Sequence, residues 1–293
     1  MIISSSAQNM QVGRELFRSL TARGSRAVLM YLPEVLLTED RLPTAVITAM
    51  KQTDVLFIYT QRPFPPHAHE AAVKAGARCV SFCGASDATL LRAARTDYDR
   101  LARLTDEAAA RLRKAGKVHL GAAGGTDLYA EVEAVEPLHF TGLARKRGES
   151  TALPAGVVAT ALVPGTAKGK IVIDGSIQSI GQLAAPITCT VKDGKLSRIE
   201  GGREAAQLEA LLGRGDDKAS LLAEIGFGTN PTATFIGDPL EDERVLGFCH
   251  VGFGRSAHLG GKIICNMHID AVIRAAEVRA GNKNLLQEAE AAL

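Results

Sequence analysis

The chain has 293 residues, of which 46% are hydrophobic, and it carries 34 basic and 32 acidic side chains. The formal charge of +2 gives no electrostatic reason to bind nucleic acid or an anionic membrane, so both partners are excluded. No run reaches the roughly 18 consecutive apolar residues of a membrane-spanning helix, and the first six residues lack the basic and apolar regions of a signal peptide. Five widely spaced cysteines match no disulfide framework. We therefore expect a soluble cytoplasmic protein.

Short apolar runs alternate with helix-like patterns in the first part of the chain. The runs that predict buried strands are residues 2–3, 26–31, 54–59, 78–82 and 117–120. Apolar residues spaced three and four apart predict helices over residues 11–22, 42–52, 66–75 and 97–114. Strands separated by helices of this length favour right-handed crossovers and a parallel sheet. The sequence therefore predicts a doubly wound α/β domain over residues 1–122.

The pattern changes after about residue 120, where glycine becomes frequent. Strand-like runs at residues 156–161, 170–173, 186–191 and 196–200 follow one another without long helices. The Asp193-Gly194 pair lies between two of these runs and is typical of a tight hairpin turn. We expect one helix over residues 202–212 and another from Ala271 onwards. Residues 123–293 are thus predicted to form a mixed, mainly antiparallel α+β domain.

Histidine and carboxylate side chains near the end of the chain could share a metal ion. His268 and Asp270 are two residues apart, so on a strand both point to one face. His250 lies in another strand-like run, and the glycine-rich turn over residues 252–261 would let the two strands pair. Two histidines and one carboxylate are the ligands of Fe(II) facial triads and also suit catalytic zinc. Glu224 is either a further ligand or the carboxylate that orients one. The alternative is a hydrogen-bonded His-Asp pair without metal.

Other polar residues offer weaker indications. His67 and His69 follow the predicted strand 54–59, where doubly wound sheets keep their sites, so they either close a pocket or lie on the surface. His258 lies in the glycine-rich turn and is expected to be solvated or to contact substrate. Residues 165–171 resemble a phosphate-binding loop but are one residue short and end in Ile rather than Ser or Thr. Nucleotide binding is therefore not expected.

Several collinear motifs between about residues 25 and 275 resemble one known superfamily. The strongest are Ala-Glu-Ile-Gly-Phe-Gly-Thr-Asn-Pro at 223–231, Glu-Asp-Glu at 241–243 with 247–254, and Gly-Gly at 260–261 with His-Ile-Asp at 268–270. Weaker matches are residues 125–128, 153–158, 172–177 and 199–202. Together they are similar to the thermophilic-type metallo-aminopeptidases, the family of aminopeptidases T and S. The same superfamily contains the 2,5-dihydroxypyridine 5,6-dioxygenases, which use one Fe(II) held by two His and one Asp.

The resemblance implies a metal centre and a homodimer. Glu224, His250, His268 and Asp270 stand at the metal-ligand positions of the peptidases. A further peptidase ligand, the Glu of a Pro-x-Gly-Glu-Val motif, is replaced here by Val157. An aliphatic side chain cannot coordinate, so the loss should weaken or abolish a second metal while one ion stays bound. The resemblance therefore favours the dioxygenases over peptide hydrolysis.

The leading hypothesis is a mononuclear metal enzyme that opens a hydroxylated aromatic or N-heteroaromatic ring. Its cofactor would be one divalent ion, with Fe(II) favoured and Zn, Co or Mn possible. We expect His67 or His69 to transfer protons, with Thr126, Asp127 and His258 contacting the small-molecule substrate. The alternatives are a metallo-aminopeptidase or amidase with a reduced metal site, and a catalytically silent relative that binds a small molecule or peptide.

Overall fold

The computed structural model describes residues 1–38 and 42–286. The chain divides into two compact units. Unit 1 comprises Met1–Tyr98 with Phe140–Ala155, and unit 2 comprises Asp99–His139 with Gly156–Leu293. Within the described ranges, no helix is both long and apolar enough to cross a lipid bilayer.

The elements are numbered here in chain order. The strands are β1 (Ile2–Ser4), β2 (Leu29–Tyr31), β3 (Val55–Tyr59), β4 (Arg78–Ser81), β5 (Lys117–Ala122), β6 (Thr126–Glu131), β7 (Leu138–Phe140), β8 (Ser150–Ala152), β9 (Val157–Ala161), β10 (Lys168–Ile173), β11 (Ser176–Ile177), β12 (Gly181–Gln182), β13 (Ile187–Lys192), β14 (Lys195–Glu200), β15 (Leu222–Gly228), β16 (Cys249–Gly254), β17 (His268–Ile273), β18 (Ala276–Ala280) and β19 (Lys283–Asn284). The helices are α1 (Ala7–Ala22), α2 (Glu34–Thr38), α3 (Thr44–Lys51), α4 (Pro66–Lys74), α5 (Asp87–Ala93), α6 (Tyr98–Arg113), α7 (Arg203–Leu212) and α8 (Pro239–Asp242), with a 3₁₀ helix at Ala257–Leu259.

Unit 1 contains a parallel sheet with the strand order β2-β1-β3-β4-β8. Its central strands are short apolar runs, and Ile3 of β1 is fully buried opposite Ile58 of β3. Helix α1 begins after Ser6, whose hydroxyl accepts a hydrogen bond from the backbone N–H of Asn9 at 3.1 Å. Apolar side chains of β1, β3, β4, α3 and α4 form the core of the unit. The α/β fold with a parallel sheet is thus confirmed.

Strand β5 exists where the sequence predicts it but does not extend the parallel sheet. It pairs antiparallel with β6 on one side and with β18 on the other. A tight turn at residues 123–125 reverses the chain, with Gly125 at φ +103°, so β5 and β6 form a hairpin instead of a crossover. The fifth strand of the parallel sheet is β8, which pairs with β4. The domain division at residue 122 stays a prediction.

Unit 2 contains two seven-stranded sheets. The first has the order β14-β13-β10-β6-β5-β18-β19, and the second, called here the site sheet, has the order β12-β11-β17-β16-β15-β9-β7. The predicted Asp193-Gly194 hairpin joins β13 to β14, with both residues at positive φ, 49° and 73°. Buried apolar residues from both sheets form one cluster that includes Leu120, Ile171, Phe227 and Val251. The mainly antiparallel second half is confirmed.

The helix expected from Ala271 onwards is wrong for the described residues. Ala271 lies within β17, which pairs along its whole length with β16. The chain then turns at Ala275, at φ +45°, and continues as β18. The β-branched residues Val272 and Ile273 are buried in this sheet, where branched side chains pack well. Pairing with β16 therefore outweighs the preference of the alanine-rich segment for a helix. The rest of the predicted helix, residues 287–293, lies outside the described residues.

Candidate metal centre

Three neighbouring strands of the site sheet carry the predicted metal ligands. Glu224 on β15 is opposite Gly252 on β16, and Gly252 is opposite Asp270 on β17. In the flanking rows, His250 is paired with Gly226 and His268 with Gly254. Because side chains two residues apart on a strand share a face, these four polar side chains lie on one face of the sheet. The predicted pairing of the His250 and His268 strands is confirmed.

Glycines on the same face make room for these side chains. A Cβ atom at Gly226 would lie 2.2 Å from Cε1 of His250, and one at Gly252 would lie 2.8 Å from Cε1 of His268 and from Cβ of Glu224. Real Cβ atoms essentially never approach other atoms this closely. The lack of a side chain at Gly226 and Gly252 therefore leaves the space that the imidazoles and the Glu224 carboxylate occupy. We call these two glycines the cradle.

The donor atoms fall into two groups that share Glu224. Oε1 of Glu224 is 3.2 Å from Nε2 of His250, and these two residues group with Asp270. Oε2 of Glu224 is 3.3 Å from Nε2 of both His258 and His268, which form the second group. Within each group the donor atoms lie within 4.8 Å of one another. Nε2 of His268 is also 2.9 Å from Oδ1 of Asp270, so the two groups are adjacent.

Burying the polar atoms of Glu224 and His250 costs free energy unless a cation coordinates them. Glu224 is 4% exposed and His250 is 2% exposed. Oε2 of Glu224 and Nδ1 of His250 are buried, and among the described residues neither has a hydrogen-bond partner. A buried polar atom without a partner costs roughly 1–3 kcal/mol. Two ligands about 2.1 Å from one ion lie about 3.0–3.4 Å apart at usual angles, so the observed spacing fits a bound divalent cation.

Charges inside the site shift the pKa values of its members. Burial alone would raise the pKa of Glu224, but His250, His258 and His268 beside it hold that pKa well below its usual range. Burial alone would lower the pKa of His268, but Asp270 and Glu224 outweigh it and raise the pKa to about 9. In the metal-free protein His268 is therefore an imidazolium at neutral pH. A divalent cation must displace that proton to coordinate Nε2.

The raised pKa of His268 predicts how the stability of the metal-free protein depends on pH. Since the folded-state pKa, about 9, exceeds the unfolded value of about 6.5, the folded protein binds the proton more tightly. The stabilisation that protonated His268 contributes to the folded state is fully present below pH 6.5 and is lost as the pH rises through 9. We expect the difference in free energy of unfolding between chelator-treated wild type and His268→Gln to shrink over this range in urea titrations. A difference that stays constant or grows would contradict the prediction.

His258 reaches the site from outside the strands. It lies on the 3₁₀ helix, whose Leu259 packs against Ala159 and Ala161 of β9. Farther along the same loop, Nζ of Lys262 donates a 2.9 Å hydrogen bond to the buried carboxylate of Glu133. These contacts hold the loop over the site face. The side chain of His258 is 34% exposed, more than any other donor, so it forms the solvent side of the centre.

Val157, where the resemblance to the peptidases implies a lost ligand, lies on the same sheet. Strand β9 pairs with β15 so that Val157 is opposite Gly228, Ala159 opposite Gly226 and Ala161 opposite Glu224. Val157 is 4% exposed. The β9 side of the donor groups is therefore apolar and supplies no ligand atom.

Sequence reasoning missed Arg244, which directly follows the Glu-Asp-Glu motif at 241–243. It is 5% exposed and forms an ion pair with Glu243. Burial lowers the pKa of Arg244 to about 10, although Asp270, Asp238 and Glu224 act in the opposite direction. Its guanidinium stays charged at neutral pH and interacts electrostatically with two donor carboxylates of the centre. The signal available in the sequence was an Arg directly after three acidic residues.

The remaining predicted site residues lie elsewhere. Thr126 and Asp127 are on β6, in the other sheet of unit 2. The Thr126 hydroxyl accepts a 2.9 Å hydrogen bond from the backbone N–H of Val172, which is a structural role, and Asp127 pairs with His119 at 2.7 Å. Both line a cavity of about 690 Å³. Among its described lining residues are none of the five donors, Glu224, His250, His258, His268 and Asp270. Their role as substrate contacts stays a prediction.

His67 and His69 belong to unit 1, at the start of helix α4 and after the carboxyl end of β3, as the sequence predicts. His67 is exposed, whereas His69 is partly buried and burial lowers its pKa. A lowered pKa leaves His69 neutral at pH 7, which suits a proton acceptor. Proton transfer by either residue stays a prediction.

Comparison with known proteins identifies a family and several similar solved structures, two of which are described here. The family model described as NicX, 2,5-dihydroxypyridine 5,6-dioxygenase, matches residues 15–291. The structure of 2,5-dihydroxypyridine dioxygenase from Pseudomonas putida KT2440 is similar with a TM-score of 0.82 at 19% identity, covering 97% of this chain and 88% of that one. Wild-type AmpT from Thermus thermophilus is similar with a TM-score of 0.66 at 18% identity, covering 94% and 88%. No curated protein matches the sequence.

Proposed function

Since the chain belongs to the NicX family of 2,5-dihydroxypyridine 5,6-dioxygenases, we propose that it opens the ring of a hydroxylated aromatic or N-heteroaromatic small molecule at one Fe(II) ion. It is a metal-dependent enzyme of the ring-cleaving dioxygenase type. The observation that carries the proposal is the buried oxygen of Glu224, which lies 3.3 Å from two imidazole nitrogens and accepts no hydrogen bond from the described residues.

The residues that would hold the ion are Glu224, His250, His268 and Asp270. Their mixture of imidazole and carboxylate donors suits Fe(II), and it also suits Zn, Co or Mn. The two carboxylates offset the charge of a dication, and the positive charge of the buried Arg244 is paired with Glu243. When bound, Fe(II) supplies a centre at which dioxygen and an electron-rich ring are activated side by side.

The protein's own groups would orient the substrate and move protons. The cradle at Gly226 and Gly252 holds the imidazoles in fixed positions, which removes the cost of reorganising them during the reaction. The apolar side chains of Val157, Ala159 and Ala161 limit access of water from the β9 side. His258 lies on the solvent side, where it would contact a substrate hydroxyl.

Oxygen consumption tests the proposed function. Chelator-treated protein reloaded with Fe(II) under anaerobic conditions is expected to take up dioxygen when 2,5-dihydroxypyridine or a related dihydroxylated ring is added. Zn-loaded protein should show no uptake, because Zn²⁺ has no redox chemistry. Oxygen electrode traces and the loss of ring absorbance give the measurement. Folded, Fe(II)-loaded protein that consumes no dioxygen across hydroxypyridines and dihydroxybenzoates would contradict the proposal.

A hydrolase is the second candidate, because Glu224 presents its two oxygens to two separate donor groups, as a carboxylate bridging two ions would. Hydrolysis of Leu- or Ala-anilide that returns when a dication is added would favour this reading over the dioxygenase. The homodimer, the cytoplasmic location and the identity of the metal stay predictions.

A further inference from the structure

A buried carboxylate is bonded to the loop that carries His258, called here the His258 loop (residues 255–263). The side chain of Glu133 is 7% exposed, whereas that of Lys262 is 72% exposed. Nζ of Lys262 donates a 2.9 Å hydrogen bond to Oε2 of Glu133. Oε1 of Glu133 is buried and has no hydrogen-bond partner among the described residues. Within those residues, the buried carboxylate therefore depends on a donor from the His258 loop.

The backbone at this carboxylate is fixed to a strand that borders the metal centre. The backbone N–H of Glu133 donates a 2.9 Å hydrogen bond to the backbone oxygen of Ala161 on β9. Ala161 is in turn opposite Glu224 in the pairing of β9 with β15. Glu133 is thus anchored to the site sheet and gives the His258 loop a fixed point of attachment beside the donors.

The His258 loop itself packs closely against β9. A Cβ atom at Gly261 would lie 2.6 Å from Cβ of Ala161 and 2.4 Å from Oγ of Ser256, so only a residue without a side chain allows this approach. Ser256 is fully buried, and its hydroxyl accepts a 3.1 Å hydrogen bond from the backbone N–H of Ile263. The loop is therefore compact, and its contacts with β9 and with the buried carboxylate set its orientation.

We propose that Glu133 and Lys262 are positioning residues that hold His258 where it contacts a hydroxyl of the bound substrate. The proposal rests on the proposed function, which assigns that contact to His258. Without the ammonium of Lys262, the carboxylate would be a buried charge with no partner, which is far more costly than an exposed one. The carboxylate would turn toward water and the loop would shift, so His258 would leave its place 3.3 Å from Glu224.

Lys262→Met tests this dependence, because methionine keeps most of the apolar stem and removes the charge. Hydrogen exchange of the chelator-treated protein, followed by mass spectrometry, reports whether the loop opens. We expect the backbone amides of residues 255–263 to exchange about tenfold faster than in the wild type, as the loss of one partner of a buried group implies. In the double variant Glu133→Met/Lys262→Met, exchange should return to within about twofold of wild type, because no buried charge is left unpaired.

Substrate affinity tests the link to His258. Calorimetry on Zn-loaded protein measures the binding of 2,5-dihydroxypyridine, or of another hydroxypyridine or dihydroxybenzoate that binds more tightly, without turnover. We expect Lys262→Met and His258→Ala each to weaken binding about tenfold. The two substitutions together should weaken it no more than His258→Ala alone, because both act through the same imidazole. Lys262→Arg keeps the charge and should bind the ring like the wild type.

Lys117→Met is the matched control. Lys117 forms an ion pair with Glu131 at 3.1 Å, but both side chains are largely exposed, 80% and 45%, so we expect unchanged loop exchange and ring affinity. Wild-type loop exchange in Lys262→Met, or additive effects of Lys262→Met and His258→Ala on binding, would overturn the proposal while leaving the proposed function intact. Zn-loaded wild type that binds none of these rings would contradict both.

Discussion

Replacing Glu224 by Gln is expected to weaken divalent-metal binding by about 100-fold or more and to abolish oxygen consumption. Mutating groups that merely support ligands costs about 10–100-fold in metal affinity, so loss of a shared ligand should reach at least the upper end. The substitution also removes the negative charge that three histidines surround. Since the amide has nearly the same shape as the carboxylate, packing around this fully buried position is preserved. Metal affinity measured by competition with a chelator gives the readout.

Glu277→Gln provides the matched control for Glu224→Gln. Glu277 lies on β18 in the other sheet, where it forms an ion pair with Arg279 on the same strand. We expect its replacement to leave metal affinity unchanged. Thermal unfolding without metal checks that Glu224→Gln is folded. A folded variant that retains wild-type metal affinity would show that Glu224 is not a ligand.

Replacing Gly226 by Ala is expected to destabilise the protein by about 1–3 kcal/mol, as overpacked cores are, and to abolish metal binding. The new Cβ would lie 2.2 Å from Cε1 of His250 and 2.9 Å from the backbone oxygen of Val158. His250 is almost fully buried, and the new Cβ would overlap its ring, so the ring must leave the position from which it contacts Glu224. Urea denaturation and metal titration measure the two effects.

Gly116→Ala is the corresponding control, because a Cβ at Gly116 meets no atom within 4 Å and the residue is not at positive φ. We expect unchanged metal affinity and stability within about 0.5 kcal/mol of wild type, as is usual for surface substitutions. If Gly226→Ala bound metal like the wild type, the cradle would not be what positions His250.

Strand alternation was enough to predict the face on which the donors lie. His268 and Asp270 are two residues apart, and the glycine-rich turn favoured pairing with the His250 strand, so both features followed from local pattern. The predicted strands of unit 1 also follow from short apolar runs between helices. The register could not be derived, because it depends on which residues of β15, β16 and β17 are opposite one another.

The places of His258 and Arg244 beside the donors on the strands could not be predicted from the sequence. The approach of His258 to Glu224 depends on a loop held by Leu259 and by the Lys262–Glu133 ion pair, which are contacts between distant parts of the chain. The same limit explains β5, whose sequence fits a parallel or an antiparallel sheet equally well. Only the turn at residues 123–125 decides between them.

The donors all come from one stretch of the chain, residues 222–273, which contains β15, α8, β16, the loop that carries His258, and β17. The chelating chemistry is thus encoded in a single contiguous stretch and does not depend on distant segments for its ligands. Substitutions outside residues 222–273 therefore replace none of the five donor side chains, so the ligand set can persist while other residues change.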